Sequence, residues 1–449
     1  MHDLAALGVR LELARDEVKV TAAQGVMSDA LRQRLRQHKA GVVALLRGAA
    51  DAPAGANEAV ARSRPQDRYE PFPFSDLQTA FYMADNPYLE YHVRPHYYCE
   101  IEADGLDVPR YLGAVNKAIR HHAGEVAMVA DDRHLKTLQQ VPEVRYPVHD
   151  LRDLDDAAAR ERLARMRERL SRQPLALDRW PWFDLQVSLW REQGRERTRI
   201  HVNHNNFYTD GYGATVLQRE IDTYYADPGA VLPPLQLTLR DAMLALEDLA
   251  ASPAGERARR YWLDRLPHLP GPPELPQLPL NKRVRSSLRR REGYLDAPTW
   301  AGFKRNASAC GLTPTGAVAA TYAEILSAWS GSRHFVLSNM VTRRLPIHPD
   351  IMRIFGNFAS LYPLEVDLRG DGSFAERALR LQQQMLRDAA HREWGGMQVM
   401  QAHNRVTGAQ GTVPFPFVIG SGLFMEKYRK ADFACLETAQ TVMDHQFWE

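Results

Sequence analysis

The sequence predicts an α/β (α+β) chain, in which helices and strands mix in two successive blocks, behind a small helix-hairpin-helix module. Three observations carry this. Residues 184–190 (DLQVSLW) and 197–202 (RTRIHV) alternate apolar and polar residues around Gly194, the period of neighbouring strands. After Asp210 and Gly211, the segment ATVLQREIDTYY sets Leu217, Ile221 and Tyr224 on one helical face. At the front, Val9, Leu11 and Leu13 alternate with polar residues, Arg15-Asp16 marks a turn, and Val18 and Val20 resume the alternation, which reads as a β-hairpin.

Taken in order, the hairpin is followed by Ser28-Asp29, a helix cap, and by Leu31, Leu35, Val42 and Leu46 on a helical stripe, so residues 1–48 form one unit. A unit this small buries little apolar surface, and dimerisation or partner binding is the expectation. Residues 49–68 are a linker, opening with the small, Pro- and Gly-containing AADAPAGAN. The first mixed block covers residues 69–237 and the second 238–449. Between their regular elements lies the Pro-rich LPHLPGPPELPQLPL (266–280), an ordered crossing or a tether. Trp180, Trp182, Trp262 and Trp329 read as core packing.

Composition excludes several classes of function. Of the 449 residues, 25% are charged and 45% hydrophobic, a globular mixture, and the formal charge of +2 leaves no basic excess to attract nucleic acid or an anionic membrane. Cys99, Cys310 and Cys435 are too few and too scattered for a disulfide framework or a metal motif, which places the chain in a reducing cytoplasm. No apolar run approaches the ~20 residues that cross a bilayer. There is no Gly-rich phosphate loop, dinucleotide fingerprint or His-Glu-x-x-His helix, so neither a nucleotide cofactor nor a metal is expected.

The chemistry-bearing stretch is HVNHNNFYTDGYG (201–213), on a loop between a strand and a helix. Strand alternation sends His201 and His204 to opposite faces, with structural or surface roles, and Asp210-Gly211 reads as a turn. Around this loop the chain carries YEPFPFSDLQTAFYM, YWLDRLPHLP, LTPTGAVAATYAEILSAWS, TRRLPIHPDIMRIFGNFAS and TAQTVMDHQ, in that order. On these pieces residues 69–449 resemble a condensation-superfamily domain of nonribosomal peptide synthetases, in its heterocyclization branch. Residues 1–48 resemble the N-terminal docking domain of tubulysin-type synthetase subunits.

The resemblance implies two chloramphenicol-acetyltransferase-like lobes in a V-shaped pseudo-dimer, with donor and acceptor carrier proteins threading phosphopantetheine arms into a tunnel from opposite faces. It implies no cofactor bound by this chain. It also implies that residues 1–48 hold the C-terminal peptide of an upstream subunit, through Val9, Leu11, Leu13, Val18 and Val20.

Condensation domains carry His-His-x-x-x-Asp-Gly at this loop and cyclising ones Asp-x-x-x-x-Asp; alignment on Asp210 puts Asn205 and Asn206 where the two histidines would be and Asn205 where the first cyclisation aspartate would be, so the chain has neither signature. An asparagine amide can position an amine or an oxyanion but moves no proton. Where cyclising relatives read Gly-Asp-Phe-Thr-Ser, this chain reads Gly356-Asn357-Phe358-Ala359-Ser360. Their catalytic threonine is replaced by Gly420 beside Ser421, and the partner aspartate survives as Asp444. The resemblance therefore marks Asn205, Asn206, Asp210 and Asp444 as catalytic candidates and Ser421, Gln440 and Asn357 as substrate-binding ones. Gly211, Arg343 and Arg344 shape the loop, one of the arginines pairing with Asp210. Three readings follow: an acyl-transfer enzyme forming an amide without efficient cyclodehydration, a catalytically silent docking scaffold, and a free-standing acyltransferase using coenzyme A.

Overall fold

The computed structural model describes residues 10–14, 17–21, 61–84, 95–103, 105–173, 175–276, 291, 293–408, 413–423 and 436–444. At the front, β1 (Arg10–Ala14) and β2 (Glu17–Thr21) pair antiparallel, with Leu11 opposite Val20 and Leu13 opposite Val18. The hairpin expected from the alternation is present. Val9 and the Leu31–Leu46 stripe lie outside the described residues.

The first block runs through β3 (Phe72–Pro73), α1 (Asp76–Ala84), β4 (His96–Ala103), α2 (Val108–His121), β5 (Ala127–Val129), β6 (His134–Thr137) and β7 (Val148–Asp150). It continues with α3 (Asp156–Leu170), β8 (Phe183–Glu192), β9 (Arg195–Asn205) and α4 (Gly211–Ala226). Gln193 and Gly194, both at positive φ (51° and 76°), close the two-residue turn between β8 and β9, which is why Gly194 punctuates the alternation.

The second block contains α5 (Leu239–Ala251), α6 (Pro253–Arg265), α7 (Ala297–Ala309), α8 (Pro314–Ser330) and β10 (His334–Thr342). After it come β11 (Ala359–Asp367), α9 (Phe374–Ala389), α10 (Gly396–Thr407), β12 (Val418–Gly420) and β13 (Leu436–Asp444). Helix starts follow their caps: Thr313 accepts from Gly316 N ahead of Pro314, and Ser373 with Glu376 closes a capping box.

A five-stranded sheet in the order β13-β4-β9-β8-β7 organises the first block, antiparallel except for β7 on β8. Its edge strand β13 comes from the far end of the described chain. Helices α2 and α4 cover one face, where Tyr111, Val115, Ile221 and Tyr224 pack on Val187 and Ile200. Each such side chain contributes roughly 1.5–3 kcal/mol by burial. The other face meets α3 through Trp190, Ala159 and Leu163. The second block has a smaller sheet, β11-β10-β12, under α8 and α9.

Within the described part of the Pro-rich stretch, residues 266–276, Gly271 O accepts from Val336 N (3.0 Å), and Leu275 packs on the second core. Trp182 and Trp262 are buried as expected, and Trp180 packs edge-on against Trp182. Trp329 corrects its expected core placement, being 72% exposed. The helical period explains this, since Ala319, Ala320, Ala323 and Leu326 turn inward on α8 and leave Val318, Ile325 and Trp329 on the outer face.

Candidate functional site

The loop between β9 and α4 is held by its own side chains. Asn205, buried, closes a local turn: its Oδ1 accepts from Phe207 N (2.9 Å) and its Nδ2 donates to Leu175 O (3.2 Å). Asn206 is half-buried; its N–H donates to Pro95 O (3.2 Å), and its carbonyl accepts from Asn357 Nδ2 (2.8 Å). Asn357 Oδ1 in turn accepts from Ala359 N (3.1 Å), so Asn357 ties the second motif to the first.

Asp210 and Gly211, expected as a turn ahead of the helix that carries Leu217, Ile221 and Tyr224, form the start of that helix. Asp210 is the N-cap of α4, with Oδ1 accepting from Gly213 N (2.6 Å), while Oδ2 accepts from Phe358 N (3.0 Å). Gly213 is needed there, because a Cβ would lie 2.8 Å from both Gly356 O and Thr209 Oγ1. Gly356, at φ +149°, makes that close approach possible.

The two arginines divide their partners. Arg344 reaches Asp210 Oδ1 at 3.5 Å, donates to the carbonyls of Ile351 and Ile354 (both 2.8 Å) and Gly356 (3.2 Å), and lies over the Phe358 ring. Burial pushes its guanidinium down from the usual range, and Asp210 opposes that. Arg343 pairs instead with Asp76, 3.3 Å from its Oδ2. The same oxygen accepts from Ser360 Oγ (2.6 Å) and Gly396 N (2.8 Å).

Asp76 and its neighbour Gln78, whose Nε2 donates to Phe207 O (2.9 Å), are residues the sequence reading missed. Their local signal is their place in SDLQTAF (75–81), within one of the stretches that carry the family resemblance.

Strand register places the remaining candidates in two rows. In the first sheet Asp444, His96 and Asn205 sit opposite one another on three adjacent strands, and Gln440 lies opposite Glu100. Only the backbones of Gln440 and Asp444 are described. His96, buried in that row, was also missed, because cross-strand neighbours 109 residues away leave no local pattern. In the second sheet Leu361, Met340 and Gly420 share a row, and Ser421 Oγ lies 3.3 Å from Thr315 Oγ1. The hairpin candidates Leu11, Leu13 and Val18 are described as backbone, and Val20 is exposed.

The histidines separate as alternation requires. His204 packs against Tyr97 with ring centres 4.7 Å apart and the planes tilted by 32°. His201 lies on the opposite face, fully buried, 2.9 Å from both Tyr98 Oη and Ser188 Oγ. Every group there is satisfied if Ser188 donates to Nε2, Nδ1–H donates to Tyr98, and Tyr98 donates to Glu100 Oε1 (2.8 Å). Burial pushes this imidazole down to about 4, leaving a neutral structural histidine. Burial alone would push the Glu100 carboxyl up, but Arg167 and Arg199 outweigh it and hold it below the usual carboxylate range.

Among the described residues, then, the loop joins the two blocks through hydrogen bonds and one ion pair.

Comparison with known proteins agrees with this architecture. The family model of the condensation domain matches residues 96–430, and that of the TubC N-terminal docking domain matches residues 1–48. The chain is 30% identical over 422 residues to pyochelin synthetase PchF of Pseudomonas aeruginosa, covering 92% of this chain and 22% of that protein. It is 33% identical over 386 residues to phenyloxazoline synthase MbtB of Mycolicibacterium paratuberculosis, covering 84% of this chain and 32% of that one. It therefore spans less than a third of the length of either relative.

The EpoB NRPS cyclization-docking bidomain from Sorangium cellulosum superposes with a TM-score of 0.78 at 27% identity, over 99% of this chain and 88% of that one. The first condensation domain of the CDA synthetase, 19% identical with a TM-score of 0.63 over 83% of this chain and 86% of that one, shares the fold. The chain belongs to the condensation-domain family of nonribosomal peptide synthetases, in its heterocyclization-type group, and carries a TubC-type N-terminal docking domain.

Proposed function

We propose that this chain joins a carrier-bound acyl or peptidyl thioester to an amine on a second carrier and releases an uncyclised amide. In that step the amine nitrogen attacks the thioester carbonyl, the C–S bond breaks, and the amine proton leaves with the carrier thiol. Phosphopantetheine belongs to the partner carriers, and residues 1–48 receive the C-terminal peptide of an upstream subunit. The observation that supports the reading is the engagement of the motif side chains: Asn205 and Asp210 are both turned into the protein's own loop. Neither side chain is then available as a proton carrier. Rate enhancement falls to positioning, which is effective for a reaction as intrinsically feasible as aminolysis of a thioester. Asn206, whose backbone is pinned on both sides, is the positioning candidate, with Ser421, Gln440 and Asp444 on the substrate side.

The alternative is a silent docking scaffold, which the same engagement of Asn205 favours. One experiment separates the two. Both carriers are loaded, the full chain is added, and products are read by intact mass spectrometry, with a parallel reaction lacking residues 1–48. The expected product is an amide without loss of water, dependent on residues 1–48 when the donor comes from a separate subunit. A product lighter by one water would remove the uncyclised reading, and no joined product would establish the scaffold.

A further inference from the structure

Away from the loop, three side chains that no motif announces meet where the C-terminus of α2 packs on α4. His121 is the last residue of α2, His122 caps it, and Glu220 lies on α4. His121 Nδ1 approaches Glu220 Oε2 to 2.8 Å and His122 Nε2 approaches the same oxygen to 3.1 Å. All the donor atoms fall within 4.8 Å of one another. We propose that His121, His122 and Glu220 form a zinc-class divalent cation site that staples α2 to α4.

Three features support a ligand set over a chance cluster. First, each imidazole is oriented through its other nitrogen: His121 Nε2 lies 3.2 Å from Pro233 O, and His122 Nδ1 lies 3.2 Å from Glu125 Oε2. Distal acceptors of this kind fix the tautomer and turn the remaining lone pairs toward a shared metal. Second, His122 is 1% exposed, and its buried Nε2 faces the Glu220 carboxylate at 3.1 Å without good hydrogen-bond alignment. Third, a cavity of about 410 Å³ has His121, one of the three ligands, and Glu125, the acceptor behind His122, in its wall.

The chemistry of the donors selects the ion. Two imidazoles and one carboxylate suit zinc and its neighbours better than magnesium or calcium, which prefer oxygen alone. Bonds of about 2.0–2.2 Å to zinc in tetrahedral geometry separate adjacent ligand atoms by roughly 3.3–3.5 Å. The spacings of 2.8 and 3.1 Å to Glu220 Oε2 need to open by a few tenths of an ångström, and the two imidazole nitrogens, within 4.8 Å of each other, need to settle to the same separation. Without an ion the cluster is an ion-paired lock. Burial pushes the His122 imidazolium down, and Glu125 with Glu220 outweighs it, holding the group up at about 9. That lock is the competing account, and it binds no metal.

The test uses the full chain without a histidine tag, dialysed with Zn²⁺ and then against metal-free buffer, with bound metal measured by plasma mass spectrometry. One equivalent is expected, and cobalt in place of zinc should give the visible absorption of a four-coordinate site. Glu220→Gln and the partly exposed His121→Gln should each lower affinity 100-fold or more, with circular dichroism confirming that they fold. Glu125→Gln, which leaves all three ligands in place, should cost about tenfold or more. Less than a tenth of an equivalent in the unsubstituted chain, or full occupancy in both ligand variants, would overturn the proposal in favour of the ion-paired lock.

Discussion

The Asp210 carboxylate and the Arg344 guanidinium lie 3.5 Å apart, with side chains 7% and 0% exposed, and each also bonds backbone: Asp210 that of Gly213 and Phe358, Arg344 that of Ile351, Ile354 and Gly356. Removing one partner leaves the other charge buried and uncompensated. Breaking such a pair costs about 3–5 kcal/mol. Asp210→Ala should therefore lower stability by that order in urea unfolding, with a clear fall in Tm. Asp210→Asn, which keeps one acceptor, should fall less. An alanine variant with unchanged stability and no activity would instead make Asp210 a participant in the chemistry.

Asn205 and Asn206 are neighbours with opposite expected phenotypes. Asn205→Ala removes the acceptor for the buried Phe207 N–H and the donor to Leu175 O, a loss of about 1–3 kcal/mol. Asn206→Ala leaves the backbone bonds of that residue intact, so stability should change by less than about 0.5 kcal/mol. Amide formation in the loaded-carrier assay should drop in Asn206→Ala. If it drops only in proportion to the folded fraction, Asn206 has no positioning role.

The His201 network makes stability depend on pH. In the unfolded chain this imidazole titrates near 6.5 and in the folded chain near 4, so between those values the unfolded state binds more protons. Its contribution is complete above pH 6.5 and is lost as pH falls toward 4. The full separation corresponds to about 3 kcal/mol. Glu100, held below the usual carboxylate range, acts with the same sign at lower pH. Urea midpoints measured at pH 7.0, 5.5 and 4.5 should fall in sequence, and His201→Gln should flatten the decline between 7.0 and 4.5. Parallel declines in the two proteins would assign the acid sensitivity elsewhere.

Local pattern decided a good deal. The alternation around Gly194 determined the β8–β9 hairpin, and the stripe Leu217, Ile221, Tyr224 determined the inward face of α4, because both periods are properties of the backbone and need no distant partner. The order of the family's motifs determined membership and drew attention to the loop at 201–213. Which arginine meets Asp210 was open in TRRL, where adjacent residues on an extended segment point to opposite sides. Packing sent Arg344 to Asp210 and Arg343 to Asp76, 267 positions away. Asn205 and Asn206 look interchangeable in sequence, yet only the tertiary structure sets Leu175 O beside the first and Asn357 beside the second. His96 in the row of Asn205 and Asp444, and Glu220 facing His121 and His122, became visible only in three dimensions. The physical reason is common to all of them: each partner comes from another element, and side-chain hydrogen bonds reach about 3 Å in space however far apart their residues lie along the chain.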